Sequence, residues 1–425
     1  MIKRITDILL SLGIDKYLIN KTVKNSCELF FIRKEPDTRR IKDVTDYSVT
    51  VYHDLEKEGT MLRGSAPVSI FPSMTDEEIS ECLKKAYFAA RFAANPYYEL
   101  VKGSGQPQAD KPTAVKSAEE AVRRMANALY SADNDNESFI NSAEFFGENQ
   151  HIRIVNSEGV NVSFDKFTIK GEFVTQCKTE EDVELYYSFE YDDINEDALA
   201  KKAADGIKEA KDRSVAKRSL KSGNYDIILN GEELAEILSY YTYRSDAAYI
   251  YAKYSDYSVG TRIQGNDDEI TGEKLNITCI ATRPYSSEGT QMHDLRLIEN
   301  GVLQAIHGYN RFSQYLGVKP TGGFEKIRLD AGTVNIDEMK KTPYLHAVKF
   351  SDFQIDQFTG HFGGEIRLAY LYDGKNITKV TGGSVNGIIS QAQKNFVFSK
   401  EKYSDSSYEG PLAVKIQNVT VAGSN

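Results

Sequence analysis

The residues of this chain that could do chemistry are six histidines, four cysteines and a stretch rich in tyrosine. No histidine has another within ten residues, and the sequence contains no H-E-x-x-H motif, so it predicts no local zinc site. It also contains no G-x-S-x-G motif, and no cysteine lies in the context of an activated nucleophile. A site assembled from ligands distant in sequence stays open, and with it an independent hydrolase.

The tyrosines are the most distinctive group. Tyr240, Tyr243, Ala247, Tyr251 and Tyr254 recur at steps of three and four residues, so they form one stripe if a single helix continues through them. A stripe of this kind is typical of a core or of a partner interface. The alternative is a peptide groove, because tyrosine gives a large contact area at a low cost in entropy. Tyr243, Tyr251 and Tyr254 are the candidates for either role.

The element that must position this stretch is a helix that follows a strand. Residues 225–229 are mostly apolar and predict the strand, and Asn230-Gly231 predicts a tight turn. Glu232 and Glu233 then occupy the first helical turn, where negative charge favours the positive end of the helix dipole.

The whole chain predicts an α+β protein of two domains, because 425 residues exceed one ordinary core. Residues 1–220 predict an α/β-type domain of strands and helices, and its two halves have a similar order of elements, which suggests an internal duplication. A helix near residue 79 should begin with a capping box formed by Thr75 and Glu78. Residues 101–115 predict a linker, and residues 221–425 a mostly antiparallel β-rich domain.

Composition excludes several classes of function. The net charge of −10 argues against binding to nucleic acid or to an acidic membrane, since both need clustered lysine and arginine. No segment approaches the length of a transmembrane helix, and the N-terminus predicts an amphipathic helix rather than a signal peptide. Four scattered cysteines are typical of free thiols in a reducing compartment, so we expect a cytoplasmic protein.

Five segments resemble the TldD/PmbA family, whose members have been called modulators of DNA gyrase. The segments are VNSEGVNVSF (155–164), YDIILNGEELAEIL (225–238), LRLIENGVLQAIHGYNRFSQYLGVKPTGG (295–323), FTGHFGGEIRLAYLYDGKNITKVTGGSVNGII (358–389) and GPLAVKIQNVTVAG (410–423). The resemblance covers nearly the whole chain. One familiar motif, T-G-D-F-S-R-G, is altered here to T-G-H-F-G-G-E at residues 359–365, which changes any contact made there.

The resemblance implies a cytoplasmic zinc peptidase that acts on unfolded peptides. Its catalytic TldD subunit carries H-E-x-x-x-H on the helix after the strand, and its PmbA/TldE partner lacks that motif. The corresponding positions here hold Ser239 and Arg244 in place of the histidines and Tyr240 in place of the glutamate. No histidine lies between residues 152 and 292, so a shift of the alignment does not restore the motif.

The resemblance therefore implies a non-catalytic subunit that forms a heterodimer with a TldD-like protease, and zinc is expected only in that partner. The alternative is a stand-alone homo-oligomer that binds peptides or proteins through its tyrosines. Neither hypothesis involves a cofactor, a nucleic acid or a membrane. The acidic composition lends no support to a direct action on DNA.

Overall fold

The computed structural model of the chain describes residues 1–103 and 117–424. The predicted linker, residues 101–115, therefore lies almost entirely outside the described residues. The described residues of the first half form, in chain order, α1 (Ile2–Ser11), β1 (Tyr17–Ile32), β2 (Glu35–Lys57), β3 (Thr60–Ile70), α2 (Asp76–Ala90), β4 (Asn95–Pro96), α3 (Ala118–Ser131), β5 (Ser138–Asn156), β6 (Asn161–Lys178), β7 (Asp182–Tyr191) and α4 (Glu196–Ser214).

The strands of this half form one antiparallel sheet in the order β4-β3-β2-β1-β5-β6-β7. Ile19 of β1 packs with α1 and α2, and Cys27 of β1 packs with α3. Because these two residues are an even number of positions apart, the helices cover the same face of the sheet. Residues of β6, β7 and α4 border the cleft described below.

The order of one helix, three strands and one helix occurs twice in this half. The first unit is α1-β1-β2-β3-α2, the second is α3-β5-β6-β7-α4, and β1 pairs with β5 at the centre of the sheet. The duplication suggested by the sequence is therefore present in the topology. The capping box at the start of α2 is also present, with both the Thr75 and Glu78 side chains bonded to backbone N–H groups.

The described residues of the second half form a longer series of short elements. In chain order they are β8 (Gly223–Asn230), α5 (Gly231–Arg244), α6 (Ala247–Tyr251), β9 (Ile277–Ile280), β10 (Leu295–Glu299), β11 (Val302–Leu303), α7 (Asn310–Tyr315), β12 (Lys326–Leu329), α8 (Ile336–Met339), β13 (Tyr344–Ile355), β14 (His361–Tyr372), β15 (Ile377–Val380), β16 (Ser384–Ile388), α9 (Ile389–Ala392), β17 (Val397–Phe398), β18 (Lys402–Ser404), β19 (Tyr408–Pro411) and β20 (Ala413–Ala422).

Two sheets organise this half. One has the order β11-β10-β9-β12-β19-β18. In the other, β13, β8, β20, β16 and β14 pair in turn, and β13 also pairs with β14, so the sheet closes on itself and its strand edges are satisfied. Only the β8–β13 and β12–β19 pairs are parallel among the described strands. The α+β class with a mostly antiparallel second half is confirmed.

Helix α5 packs between these two sheets, against β8, β13, β19 and β20. Its buried residues Leu234, Ile237 and Tyr241 join a single apolar core with residues of both sheets, among them Leu297 and Val414. The position of α5 is thereby fixed by the largest core of the second half. Among the described helices, none has the length and apolar run that a bilayer crossing demands.

Candidate functional site

Helix α5 begins where strand β8 ends, as the sequence predicts. Asn230 is the last residue of β8 and the residue that precedes the helix, so the strand leads directly into it. The Asn230 side chain accepts a hydrogen bond from Nε2 of buried His346 at 2.9 Å, and burial lowers the pKa of that histidine to about 3. This contact holds the start of α5 on β13.

A cleft of about 1270 Å³ lies against the side of α5 that faces away from the core. Its other walls are residues of strands β6 and β7, Lys202 of α4, and segments near residues 307–325 and 403–407. Seven carboxylates line it against two lysines. These are Glu172, Glu190, Glu232, Glu236, Asp246, Glu325 and Asp405, with Lys170 and Lys202. Both halves of the chain therefore contribute to the lining of the cleft, and this lining is strongly acidic.

The three positions that correspond to the zinc motif do not converge on this cleft. Ser239 lines it, and its Oγ is buried without a hydrogen-bond partner. Tyr240 instead packs against the core and lies edge-on to Tyr241, with ring centroids 5.5 Å apart. Arg244 forms an ion pair with Asp256, outside the cleft lining.

These side chains do not fit a zinc ion. Burial raises the pKa of the Tyr240 phenol, which disfavours the phenolate that would bind a metal, and Arg244 is itself a cation. Among residues 1–103 and 117–424, no group of three histidine, cysteine, aspartate or glutamate side chains is placed to hold a metal ion. No chemical step can be derived through zinc from the residues of this site.

The predicted tyrosine stripe does not form, because its helix does not continue. Helix α5 ends at Arg244, where the Ser245 hydroxyl donates back to the Tyr241 carbonyl, and Asp246 caps the separate helix α6 through Ala248 N–H at 2.7 Å. The prediction of one continuous tyrosine stripe is therefore wrong.

The candidate tyrosines lie instead in two aromatic groups. Tyr243 lines the cleft and contacts Tyr249, which contacts Tyr254 and Phe358, with centroid distances of 5.6, 5.9 and 6.1 Å. Tyr251 contacts a different pair, Phe312 at 5.6 Å and Tyr315 at 5.0 Å. Tyr243, Tyr251 and Tyr254 are 41%, 42% and 57% exposed, whereas Tyr241, two residues before Tyr243, is completely buried.

Two cleft residues that the sequence analysis did not single out are Asp246 and His307. The backbone of His307 pairs with the segment around Asp246: Ala247 N–H donates to the His307 carbonyl at 2.8 Å. His307 Nε2 donates to the Thr242 carbonyl at 2.8 Å, and its Nδ1 lies 3.9 Å from Asp246 Oδ2. Burial lowers the pKa of His307, although the Asp246 charge acts in the opposite direction, so the ring is neutral at pH 7.

A cluster of charges from both halves of the chain lies near the opposite end of the cleft, where Lys202 and Glu232 are its lining members. Lys202 of α4 forms an ion pair with Glu232 of α5. Lys349 of β13 lies 4.0 Å above the Tyr187 ring of β7, and the Tyr187 hydroxyl donates to Glu209 at 2.7 Å. We call these residues, together with Glu233, the charge cluster.

Burial dominates the protonation of this cluster. It raises the pKa of Glu209 to about 7 and raises that of Glu233, whose Oε2 has no hydrogen-bond partner, while it lowers the pKa of Lys349. Burial would also raise the pKa of Glu232, but the neighbouring Lys202 ammonium holds it below its usual value. The cluster therefore mixes ionised and protonated carboxyl groups near neutral pH.

Comparison with known proteins gives the following matches. A family model of the PmbA/TldA metallopeptidase central domain matches residues 108–216, and a model of the PmbA/TldA metallopeptidase C-terminal domain matches residues 222–423. A search of curated protein sequences gives no match.

Solved structures match over almost the full chain. TldE from Thermococcus kodakarensis has 14% identity and a TM-score of 0.77, with 99% of this chain and 100% of that chain covered. A proposed DNA gyrase modulator from Thermotoga maritima has 15% identity, the same TM-score and the same coverage. Another from Bacteroides thetaiotaomicron has 14% identity and a TM-score of 0.77, covering 99% of this chain and 98% of that one. At these identities the likeness shows the fold.

Proposed function

Because this chain belongs to the PmbA/TldD family, we propose that it is a non-catalytic, TldE-like subunit of a metallopeptidase complex that acts on unfolded peptides. In this proposal a TldD-like partner holds the zinc and cuts the peptide, and the present chain helps to bind it. The assembly is a cytoplasmic heterodimer. The four cysteines agree with a reducing compartment, since all are free thiols and three are buried.

The observation that carries the proposal is the side of α5 that faces the cleft. The family helix is retained, with its strand, its acidic first turn and its packing in the core. At the cleft it presents Ser239, Thr242 and Tyr243, which are hydroxyl and aromatic groups suited to contact a peptide. Arg244 occupies the position of the second histidine of the zinc motif. Its guanidinium is paired with Asp256 and is not a metal ligand.

The cleft supports the peptide as the ligand. Its volume of about 1270 Å³ is large enough for several residues of an extended chain. Aromatic rings of Tyr243, Tyr249 and Tyr309 line its walls together with carboxylates, so both apolar and polar side chains find partners. Such a mixed surface fits a ligand without a fixed fold.

The test is to purify the chain alone and together with a family partner that has an intact H-E-x-x-x-H motif. We expect a stable complex that contains zinc and cleaves an unfolded peptide, whereas the isolated chain binds no stoichiometric zinc and cleaves nothing. The matched control is a partner whose first motif histidine is replaced by alanine, which should form the complex without activity. Stoichiometric zinc together with proteolysis by the isolated chain would refute the proposal.

A second candidate is a stand-alone homo-oligomer that binds peptides or proteins, and the exposed aromatic groups favour it. Tyr254 and Phe358 are both more than half exposed and lie 5.4 Å apart, continuous with Tyr249 at the cleft. Apolar rings at such exposure are typical of an interaction surface.

Light scattering separates this candidate from the first. If the chain forms a homo-oligomer through these rings, Tyr251→Ala and Tyr254→Ala should dissociate it or weaken peptide binding. Phe71→Ala is the control, because Phe71 is 50% exposed directly after strand β3, which contributes no residue to the cleft lining. An oligomer and a binding affinity that both survive the two substitutions would count against the second candidate.

A further inference from the structure

One wall of the cleft holds two hydrogen-bond acceptors that face each other with no donor between them. His307 is 6% exposed, and its Nδ1 is buried without a hydrogen-bond partner. Because Nε2 donates to the Thr242 carbonyl, the lone pair of the neutral ring is on Nδ1. The nearest charged atom is Asp246 Oδ2, 3.9 Å away, which is also an acceptor. Buried acceptors normally have a donor, so the pair lacks one.

The backbone fixes both side chains in this arrangement. Ala247 N–H donates to the His307 carbonyl, and His307 N–H donates to the Ser245 carbonyl at 3.2 Å. Gly308 permits this close approach, since a Cβ there would lie 2.7 Å from the Ala247 Cβ. Asp246 uses Oδ1 to cap α6, which leaves Oδ2 directed at the histidine. The two acceptors are therefore held in place before any ligand arrives.

In the described part of the chain, the charge of Asp246 has no lysine or arginine partner, in contrast to the charges of Glu232 and Glu325, which also line the cleft. Glu232 is paired with Lys202, and Glu325 lies 3.1 Å from Lys166 and 3.3 Å from Arg283. Within the described ranges, no lysine or arginine forms an ion pair with Asp246. The site therefore combines an uncompensated carboxylate with a bare ring nitrogen.

We propose that Asp246 and His307 form a subsite for the primary ammonium group of a peptide. An ammonium carries three N–H donors and no acceptor, so one donor can reach Asp246 Oδ2 while a second reaches His307 Nδ1. The group is either the α-amino terminus or a lysine side chain, which share this chemistry. The inference deepens the proposed function, on which it rests for the peptide nature of the ligand.

The first experiment measures binding of matched peptides to the isolated chain by calorimetry. Four forms of one unstructured peptide carry a free or acetylated N-terminus and either lysine or norleucine at one position. We expect forms with an amino group to bind about tenfold more tightly, or more, than the form with none, because charge-assisted hydrogen bonds are lost. Comparison of the two singly blocked forms shows which source of the ammonium is used. Equal affinity of all four forms, or no binding of any, would overturn the proposal.

The second experiment uses variants of the subsite. Asp246→Asn retains an oxygen to cap α6, and His307→Phe retains an aromatic ring, yet each removes one acceptor for the ammonium. Both should lose most of the preference for the amino group and leave the affinity for the fully blocked peptide unchanged. Glu190→Gln is the control, since it removes a charge from the same cleft without touching the pair. An equal loss in this control would overturn the subsite in favour of general electrostatic attraction.

Two further outcomes are distinguishable. If zinc chloride binds the wild-type chain stoichiometrically and not Asp246→Asn, while the amino group has no effect, the pair is a metal site and the proposal is wrong. If the amino-group preference is found but a partner adds no zinc-dependent cleavage, the proposed function fails and the subsite stands.

Discussion

The two ends of helix α5 differ in whether the carboxylates near them have cationic neighbours. At the first end, Glu232 and Glu233 lie beside Lys202 and Lys349, so carboxylates and ammonium groups from both halves of the chain occur together. Beyond the last turn, Asp246 faces a neutral histidine at 3.9 Å and has no cationic partner among the described residues. Both ends border the same cleft.

The difference separates charges that hold the fold together from a charge that is free to bind. Lys202 belongs to α4 and Lys349 to β13, and each reaches across to the other half of the chain, Lys202 to Glu232 and Lys349 to Tyr187. Removal of one member there leaves others buried and uncompensated, which is strongly unfavourable. Asp246 compensates nothing, so its removal should affect binding rather than stability.

The largest effect on stability is expected for Lys349→Met. Methionine keeps an apolar side chain over the Tyr187 ring but removes the ammonium whose charge favours the ionised form of Glu232. We expect a loss of about 3 kcal/mol in the free energy of unfolding at pH 7, measured by urea denaturation. Lys341→Met is the control, because Lys341 is exposed and paired only with exposed Glu338. A loss below about 1 kcal/mol would show that the carboxylates there do not depend on Lys349.

A smaller, pH-dependent effect is expected for Glu209→Gln. Burial raises the pKa of Glu209 to about 7 from its ordinary 4.5, so the folded chain binds a proton that the unfolded chain releases between these values. The stability it contributes is complete below pH 4.5 and is lost as the pH rises through 7. Glutamine cannot ionise, so the variant does not lose this stability. Between pH 5 and pH 8, the free energy of unfolding of the variant should therefore rise relative to that of the wild type by on the order of 2 kcal/mol.

Urea denaturation across this pH range measures the difference. Glu81→Gln serves as the comparison, because it makes the same change at an exposed glutamate on α2, outside the charge cluster. A difference for Glu209→Gln that does not change with pH would contradict the raised pKa. The variant also retains an acceptor for the Tyr187 hydroxyl, so loss of that hydrogen bond does not confuse the result.

The sequence predicted local features of this molecule and missed those that depend on distant contacts. The strand before α5, the acidic first turn and the capping box of Thr75 and Glu78 follow from neighbouring residues, and all are present. The end of α5 at Arg244 was missed, because it depends on Gly308 admitting the segment around Ala247. Asp246 and His307 are far apart in sequence and share no motif, so only the folded chain brings them together.

The smallest effect on stability is expected for Asp246→Asn, at the uncompensated end. Asparagine keeps the side-chain oxygen that caps Ala248 N–H, and it removes a charge that faces the lone pair of His307 Nδ1. Replacement of an acceptor by an amide donor at that distance costs nothing, so the free energy of unfolding should stay within about 0.5 kcal/mol of the wild type in urea denaturation. A loss as large as that of Lys349→Met would mean that Asp246 holds the fold, and the contrast between the two ends of α5 would disappear. An unchanged stability together with a lost preference for amino groups would assign the two ends different roles, one in joining the halves of the chain and one in binding.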